Sequence, residues 1–413
     1  MKHSLPALLR DLSPEVRQYL VVTGNYWAFT LTDGALRMLV VLYFHELGYA
    51  PLQIALLFIF YEFFGVVTNL VGGWLGARIG LNRTMNLGLA LQVLALSMLL
   101  LPAALLTVPW VMAAQALSGI AKDLNKMSAK SAIKLLVPDA AQGTLYKWVA
   151  LLTGSKNALK GAGFFLGALL LGSLGFTAAV GTMAAALFIV WILSIFFLKA
   201  DLGRAKQKAK FREILSKSRA INRLAAARLF LFGARDVWFV IALPLYLGSR
   251  FGWDHWRIGG FLALWIIGYG LVQSLAPRFT GTAASGARAN RVAAMWALVL
   301  AAVTASIPLA LQAGIAPQSA LVSGLLLFGA LFAVNSSLHS YLIVRYARSD
   351  GVSLDVGFYY MANAMGRLTG TLLSGWVFQV SGMAACLWIS VGFILLAALF
   401  AWLIPTPEGP VSS

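Results

Sequence analysis

Twelve apolar runs of about 20 residues recur along this chain, separated by short polar turns and one longer loop. They fall roughly at 19–44, 52–76, 84–106, 109–136, 145–171, 176–198, 224–248, 256–279, 291–312, 318–345, 356–379 and 383–404. A helix of that length crosses a hydrocarbon core ~30 Å thick. No water reaches that core, so each span must satisfy its own backbone amides, which makes the spans helical. Composition agrees: 60% of the 413 residues are hydrophobic and 11% are charged, against about 25% charged in soluble domains. The expected fold class is an all-α membrane protein with twelve transmembrane helices. The opening stretch, MKHSLPALLRDLSPEVRQ, is too polar for a secretory signal.

A formal net charge of +18 raises the question of nucleic acid, and the placement of the charge answers it. Basic residues crowd alternate loops: Arg10 with Arg17, Arg78 with Arg83, Lys134 with Lys147, Arg278 with Arg288 and Arg291, and Arg345 with Arg348. The densest block is KADLGRAKQKAKFREILSKSRAINR at 199–223, while the opposite loops carry Arg250 and Arg257. The positive-inside rule then puts both termini and the long loop in the cytoplasm, and the expected location is the cell's inner (cytoplasmic) membrane. The basic loop is expected to rest on anionic lipid, with no nucleic acid partner. A single cysteine, Cys386, excludes an intrachain disulfide framework and a cysteine-based metal site. No metal and no cofactor are expected.

The long loop divides the spans six and six. The expected organisation is an N-terminal six-helix bundle over 1–198, a basic cytoplasmic linker over 199–223 and a C-terminal six-helix bundle over 224–413. Weak repetition relates the halves. A shift of 207 lays Lys156, Lys160 and Gly163 over Asn363, Arg367 and Gly370. A shift of 209 lays Ser128, Lys130 and Ser131 over Ser337, His339 and Ser340, and Asp33 falls near Asp236. This layout resembles the two-bundle plan of the major facilitator superfamily. Between spans 2 and 3, Gly73, Leu75, Arg78, Gly80 and Arg83 match that superfamily's Gly-x-Leu-x-Asp-Arg-x-Gly loop with its trailing basic residue. Ala77 stands where the family has an acid that latches the inward gate, so the resemblance implies a weaker latch or one made by other contacts. Span 5 carries Gly154, Gly161, Gly163 and Gly167, loosely like the glycine-rich fifth span of superfamily antiporters, though close helix packing explains small residues equally well.

Charge inside the spans points to function. Lys122, Lys126 and Lys130 recur every four residues in span 4, and Lys134 continues the row. At helical pitch these ammonium groups share one drifting stripe. Each uncompensated charge at bilayer depth costs roughly 2.5–3.5 kcal/mol, so such a row implies a wet cavity with an anionic occupant. Lys156 and Lys160 repeat the spacing in span 5, with Asn125 and Asn157 beside the rows as neutral donors. Arg37, Arg235 and Arg367 add fixed cations, and Asn363, His339 and Tyr26 complete the candidate substrate-binding set. Lys134, and in part Lys130, also fits a snorkelling role; Arg228 reads equally as an interior cation or one at headgroup level. Nine fixed cations inside the spans face four acids. Two cationic clusters, one per half, suggest a substrate with an oxyanion at each end.

The acids are Asp33, Glu62, Asp123 and Asp236, the candidates for proton coupling. Asp33 and Arg37 can bridge locally at i,i+4. Asp236 and Arg235 are adjacent and point about 100° apart, so each is expected to pair across helices rather than with the other. His339 is open to titration near neutral pH or to a hydrogen-bonded structural role. Tyr61 and Tyr341 read as packing, with Tyr26 and Trp27 as possible cavity walls.

Four stretches, GNYWAFTLTDGALRMLVVLYFHELGY at 24–49, FFGVVTNLVGGWLGARIGLNRTMN at 63–86, QALSGIAKDLNKMSAKSAIKLLVPD at 115–139 and LYKWVALLTGSKNALKGAGFFLG at 145–167, resemble the ArsJ-type organoarsenical efflux permeases. The resemblance is close over most of the N-terminal half and looser beyond residue 200. It implies a major facilitator protein that exports 1-arseno-3-phosphoglycerate; a monomer is expected. The functional partner it implies, glyceraldehyde-3-phosphate dehydrogenase, makes that compound from arsenate, and the compound breaks down outside to arsenate and 3-phosphoglycerate. The expected function is therefore arsenate resistance by efflux. The alternative cargo is another organophosphate or sugar phosphate, exchanged for phosphate. An enzyme is not expected, because no span carries a His/Asp ligand grouping.

Overall fold

The computed structural model describes residues 14–48, 57–136, 142–198, 218–239, 241–253, 255–281, 288–349 and 352–405. Most of the basic linker, and Arg10, lie outside these residues. Among the described residues all regular structure is helical. In chain order the helices are α1 Pro14–Glu46, α2 Ile59–Ile79, α3 Leu81–Met98, α4 Val108–Leu136, α5 Gln142–Phe197 and α6 Arg219–Phe239. They continue with α7 Ala242–Phe251, α8 His255–Thr280, α9 Ala289–Gln312, α10 Pro317–Tyr346 and α11 Val352–Trp402. A short 3-10 turn, Ala103–Leu105, leads towards α4. Helices α5 and α11 each supply two spans and α6 with α7 supplies one, which gives the twelve that the apolar runs predict.

Glycine makes the breaks inside the two long helices. Gly175 has φ 74° and Gly382 has φ 77°, a left-handed conformation that costs glycine nothing and other residues a clash. These pivots lie 207 positions apart. The tight corner between α2 and α3 turns on Gly80 at φ 98°. Five described stretches, Leu169–Phe197, Gly260–Thr280, Ala289–Gln312, Pro317–Tyr346 and Val352–Trp402, are long and apolar enough to cross a membrane on their own.

Two compact units result. The first gathers described residues within Met1–Leu145, Ala162–Ile214 and Arg348–Gly357; the second gathers those within Tyr146–Gly161, Leu215–Ala347 and Phe358–Ser413. In the first, Phe29, Leu36, Leu39, Leu89, Leu96, Val111, Phe176 and Val180 form the core. The Tyr43 and Phe176 rings stack there at 4.0 Å between centroids. The second core is aromatic: Trp238 meets Phe328 edge-on at 4.9 Å, and Trp265 donates its indole N–H to the Leu325 carbonyl at 2.8 Å.

Small residues set the helix spacing, as expected where lipid supplies no hydrophobic drive for association. In the first unit a methyl group added to Gly163 would stand 2.7 Å from the Leu31 carbonyl oxygen and 3.2 Å from the Ala35 nitrogen. In the second, one added to Gly370 would stand 2.7 Å from the Gly233 oxygen and 3.1 Å from the Val237 nitrogen. The same crossing is thus built twice, at positions related by the repeat. All four glycines of span 5 serve contacts of this kind: Gly154 and Gly161 face α8, while Gly163 and Gly167 face α1.

Two further crossings bring glycines face to face. Within the first unit, α2 meets the start of α11, where a methyl group on Gly357 would lie 2.9 Å from the Gly73 Cα. One turn on, Ala77 packs with Leu354 and Trp74. Within the second unit, the start of α5 meets α8, where a methyl group on Gly270 would lie 2.7 Å from the Gly154 oxygen. The position that lacks the family's acid is therefore an apolar contact onto α11. Of the other loop residues, Arg78 lies over the Trp74 ring at 5.1 Å, and Arg83 is exposed.

Candidate functional site

In the first unit the lysine row of α4 turns inward. Lys130 and Lys134 are 3% and 9% exposed, so protein covers both and neither snorkels out past the helix surface. Asp123, 1% exposed, receives two cations: Lys122 Nζ at 3.8 Å and the closer Lys126 Nζ. Its carboxylate rests against Gly65 of α2, where an added methyl group would stand 3.1 Å from it.

Tyr61 of α2 is the hub of this cluster. The Lys122 ammonium sits 3.8 Å from its ring centroid and the Arg37 guanidinium 4.5 Å. Its hydroxyl donates to both Asp33 oxygens, at 2.7 and 3.0 Å. A ring face attracts cations and a phenol serves a carboxylate, so one side chain links charges of both signs. The sequence reading placed Tyr61 among packing residues, and the structure corrects it. Asn125 is corrected too: its amide bonds the Ala121 carbonyl at 3.0 Å and packs on Gly88 of α3, off the lysine row. Tyr26 is enclosed at 1% exposure, whereas its neighbour Trp27 is exposed. The side chain of Glu62 lies outside the described residues.

The second unit repeats the motif of one acid shared by two cations. Asp236, 1% exposed, accepts from Arg235 Nε at 2.5 Å and from Arg367 Nε at 3.2 Å. The adjacent Arg235 and Asp236 do pair, contrary to the expectation from their angular separation. The long arginine stem bends back along the helix, while Arg367 supplies the partner across helices. Aromatic rings of Phe232, Phe332 and Phe239, at 5.0 to 5.9 Å, surround the Arg235 guanidinium.

Arg228 is buried at 3% exposure and does not reach for headgroups. Its Nε donates to Asn363 Oδ1 at 2.8 Å and its Nη1 reaches Ser336. Asn157 of α5 donates to Gln273 of α8 at 2.7 Å. Lys156 and Lys160 on the same helix are half-buried. His339 is fully buried and shows no hydrogen-bond partner on either ring nitrogen among the described residues.

Sequence reasoning left Tyr269, Gln273 and Ser336 out of this cluster and left Arg228 undecided. Signals were present: Gln273 interrupts the apolar run LVQSLAP, and Ser336 lies in the most polar stretch of span 10, NSSLHSY. Neither marks a neighbour in space, because that depends on which helices cross.

The sequence model described as Major Facilitator Superfamily matches residues 22–353. No curated protein sequence matches the chain. Solved structures of similar fold include the human organic anion transporter MFSD10, at 18% identity over 94% of this chain and 100% of that one, TM-score 0.73. A bacterial homologue of the iron transporter ferroportin in its outward-facing state matches at 14% identity, 95% and 99% coverage and TM-score 0.72. The E. coli fucose:proton symporter FucP matches at 11% identity, 95% and 100% coverage and TM-score 0.73. At such identities the likeness is one of fold.

Proposed function

We propose, for a chain that belongs to the major facilitator superfamily and is therefore a membrane transporter and not an enzyme, that the cargo is 1-arseno-3-phosphoglycerate. The carrier exports it from the cytoplasm by alternating access and so confers resistance to arsenate. One observation carries the anionic class of the cargo: in each unit a single buried carboxylate is shared by two cations, Asp123 by Lys122 and Lys126, Asp236 by Arg235 and Arg367. Arg228 stands beyond these pairs, with no carboxylate within ion-pair distance among the described residues. Across the spans nine fixed cations meet four acids, and a low-dielectric interior does not sustain such an excess without anionic company. Lysine adapts to a moving oxyanion and arginine grips it in two-pronged fashion. Lys122, Lys126, Lys156, Lys160 and Arg367 are the residues assigned to the anionic groups, helped by Asn157.

The particular cargo rests on the resemblance of the first four stretches to organoarsenical permeases. Its partner in the cell is a glyceraldehyde-3-phosphate dehydrogenase, and its membrane is the inner one, with both termini in the cytoplasm. The test is arsenate tolerance in cells lacking their own arsenic export. Tolerance should appear when carrier and dehydrogenase are expressed together and not with either alone. Tolerance from the carrier alone, or none from the pair, would refute the cargo; phosphate uptake in exchange for a sugar phosphate would establish the alternative.

A further inference from the structure

Hydrogen-bond donors outnumber acceptors around Ser336 of α10. Its Oγ receives Arg228 Nη1 at 3.1 Å, Tyr269 Oη at 2.9 Å and Gln273 Nε2 at 3.1 Å. The Gln273 amide is fixed in that sense because its Oε1 already accepts from Asn157 at 2.7 Å. A hydroxyl oxygen has two lone pairs, so three convergent donors exceed what it can accept. The charge behind them is also unanswered. Arg228 is 3% exposed, and among the described residues no carboxylate lies within ion-pair distance of it. Asn363 and the Ser336 carbonyl hold its guanidinium in place, at 2.8 and 3.2 Å, against the Phe232 ring at 3.8 Å. One turn along α10, His339 adds two ring nitrogens without a partner among the described residues. A rigid cation, several donors aimed at one point and no acid nearby are the makings of an oxyanion site.

We propose that Arg228, Tyr269 and Gln273 form an oxyanion-binding site within the second unit that takes a phosphate-type head group. Naming that head group rests on the cargo reading above; the site itself rests on the donor surplus. An anionic oxygen carries the third lone pair that a hydroxyl lacks. Arg228 is the anchor of this site, in addition to the cations assigned above, because no carboxylate among the described residues stands within ion-pair distance of it.

The experiment uses the full-length protein in lipid nanodiscs, titrated with inorganic phosphate and with 3-phosphoglycerate. Thermal unfolding and tryptophan fluorescence report binding. Wild-type protein should be stabilised by both anions. Arg228→Gln should weaken their binding tenfold or more, Arg228→Lys less, and Tyr269→Phe several-fold with its ring packing retained. A merely structural Arg228 would lower the unfolding temperature yet leave the anion-induced increment unchanged, which overturns the site. If Arg228→Gln does not fold, wild-type affinity in Tyr269→Phe overturns it equally. Arg228-dependent phosphate binding in a protein that fails to export the arsenylated compound would uphold the site and sink the cargo. Arg228-independent binding with export intact would do the reverse.

Discussion

The ammonium of Lys122 lies 3.8 Å from the ring centroid of Tyr61, the same ring whose hydroxyl donates to Asp33 at 2.7 Å. Lys122 and Asp33 are thus linked through an aromatic residue, while Lys122 pairs directly with Asp123 at 3.8 Å. Tyr61→Phe keeps the ring for Lys122 and Arg37 while it removes the donor to Asp33. A hydrogen bond to a charged group is worth about 1.5–3 kcal/mol, so export in vesicles should fall roughly tenfold or more. Expression should persist. Unchanged transport would reduce Tyr61 to a packing role.

Lys126 and Lys160 test the two rows separately. Lys126→Gln removes one of the two cations on Asp123, and Lys160→Gln removes a cation from α5 without touching that pair. Each should abolish arsenate resistance with normal protein in the membrane, measured by growth and by immunoblot. Full resistance in both variants would end their assignment to the anionic groups.

The sequence made the spans and their number legible, because bilayer thickness sets the length of each apolar run. Gly163 and Gly370 paired in the repeat, and each crosses its partner helix at the same distance. Electrostatic partners were less legible. Whether Arg235 reached Asp236 depended on how its stem bends, and spacing along a helix does not determine that. Asn125 looked like part of the lysine row, yet its amide serves the contact with Gly88. Tyr61 and Gln273 were missed for one reason: each gains its role from a residue on another helix.

Gly73 and Gly154 mark the two glycine crossings. A side chain at Gly73 would overlap the Ser353 carbonyl, and one at Gly154 would stand 2.5 Å from the Gly270 oxygen. Gly73→Leu and Gly154→Leu should each cut transport at least tenfold, with residual binding of 3-phosphoglycerate to the purified protein. Gly143→Ala, which meets nothing within 4 Å, should transport normally. Equal activity in all three would remove the crossings from the transport cycle.

Ala77 is buried at 1% between Trp74 and Leu354. Restoring the family's acid with Ala77→Asp puts a carboxylate into this apolar contact at a cost of about 1–3 kcal/mol. The unfolding temperature of the purified protein should drop by several degrees. A rise would show that an acid here finds a basic partner, and that the apolar latch is not preferred.

Electrical driving force offers the sharpest test of a multiply charged cargo. Phosphate-like groups carry about −1.5 to −2 each, so a two-headed cargo leaves an inside-negative compartment with a gain of about 2.3 kcal/mol per charge per 100 mV. Vesicles loaded with 1-arseno-3-phosphoglycerate, or with the dehydrogenase and its substrates, are given a potassium diffusion potential at equal pH on both sides. Export should follow the imposed potential and stop when it is collapsed. Export that ignores the potential and needs a pH gradient would contradict an anion carried by charge alone.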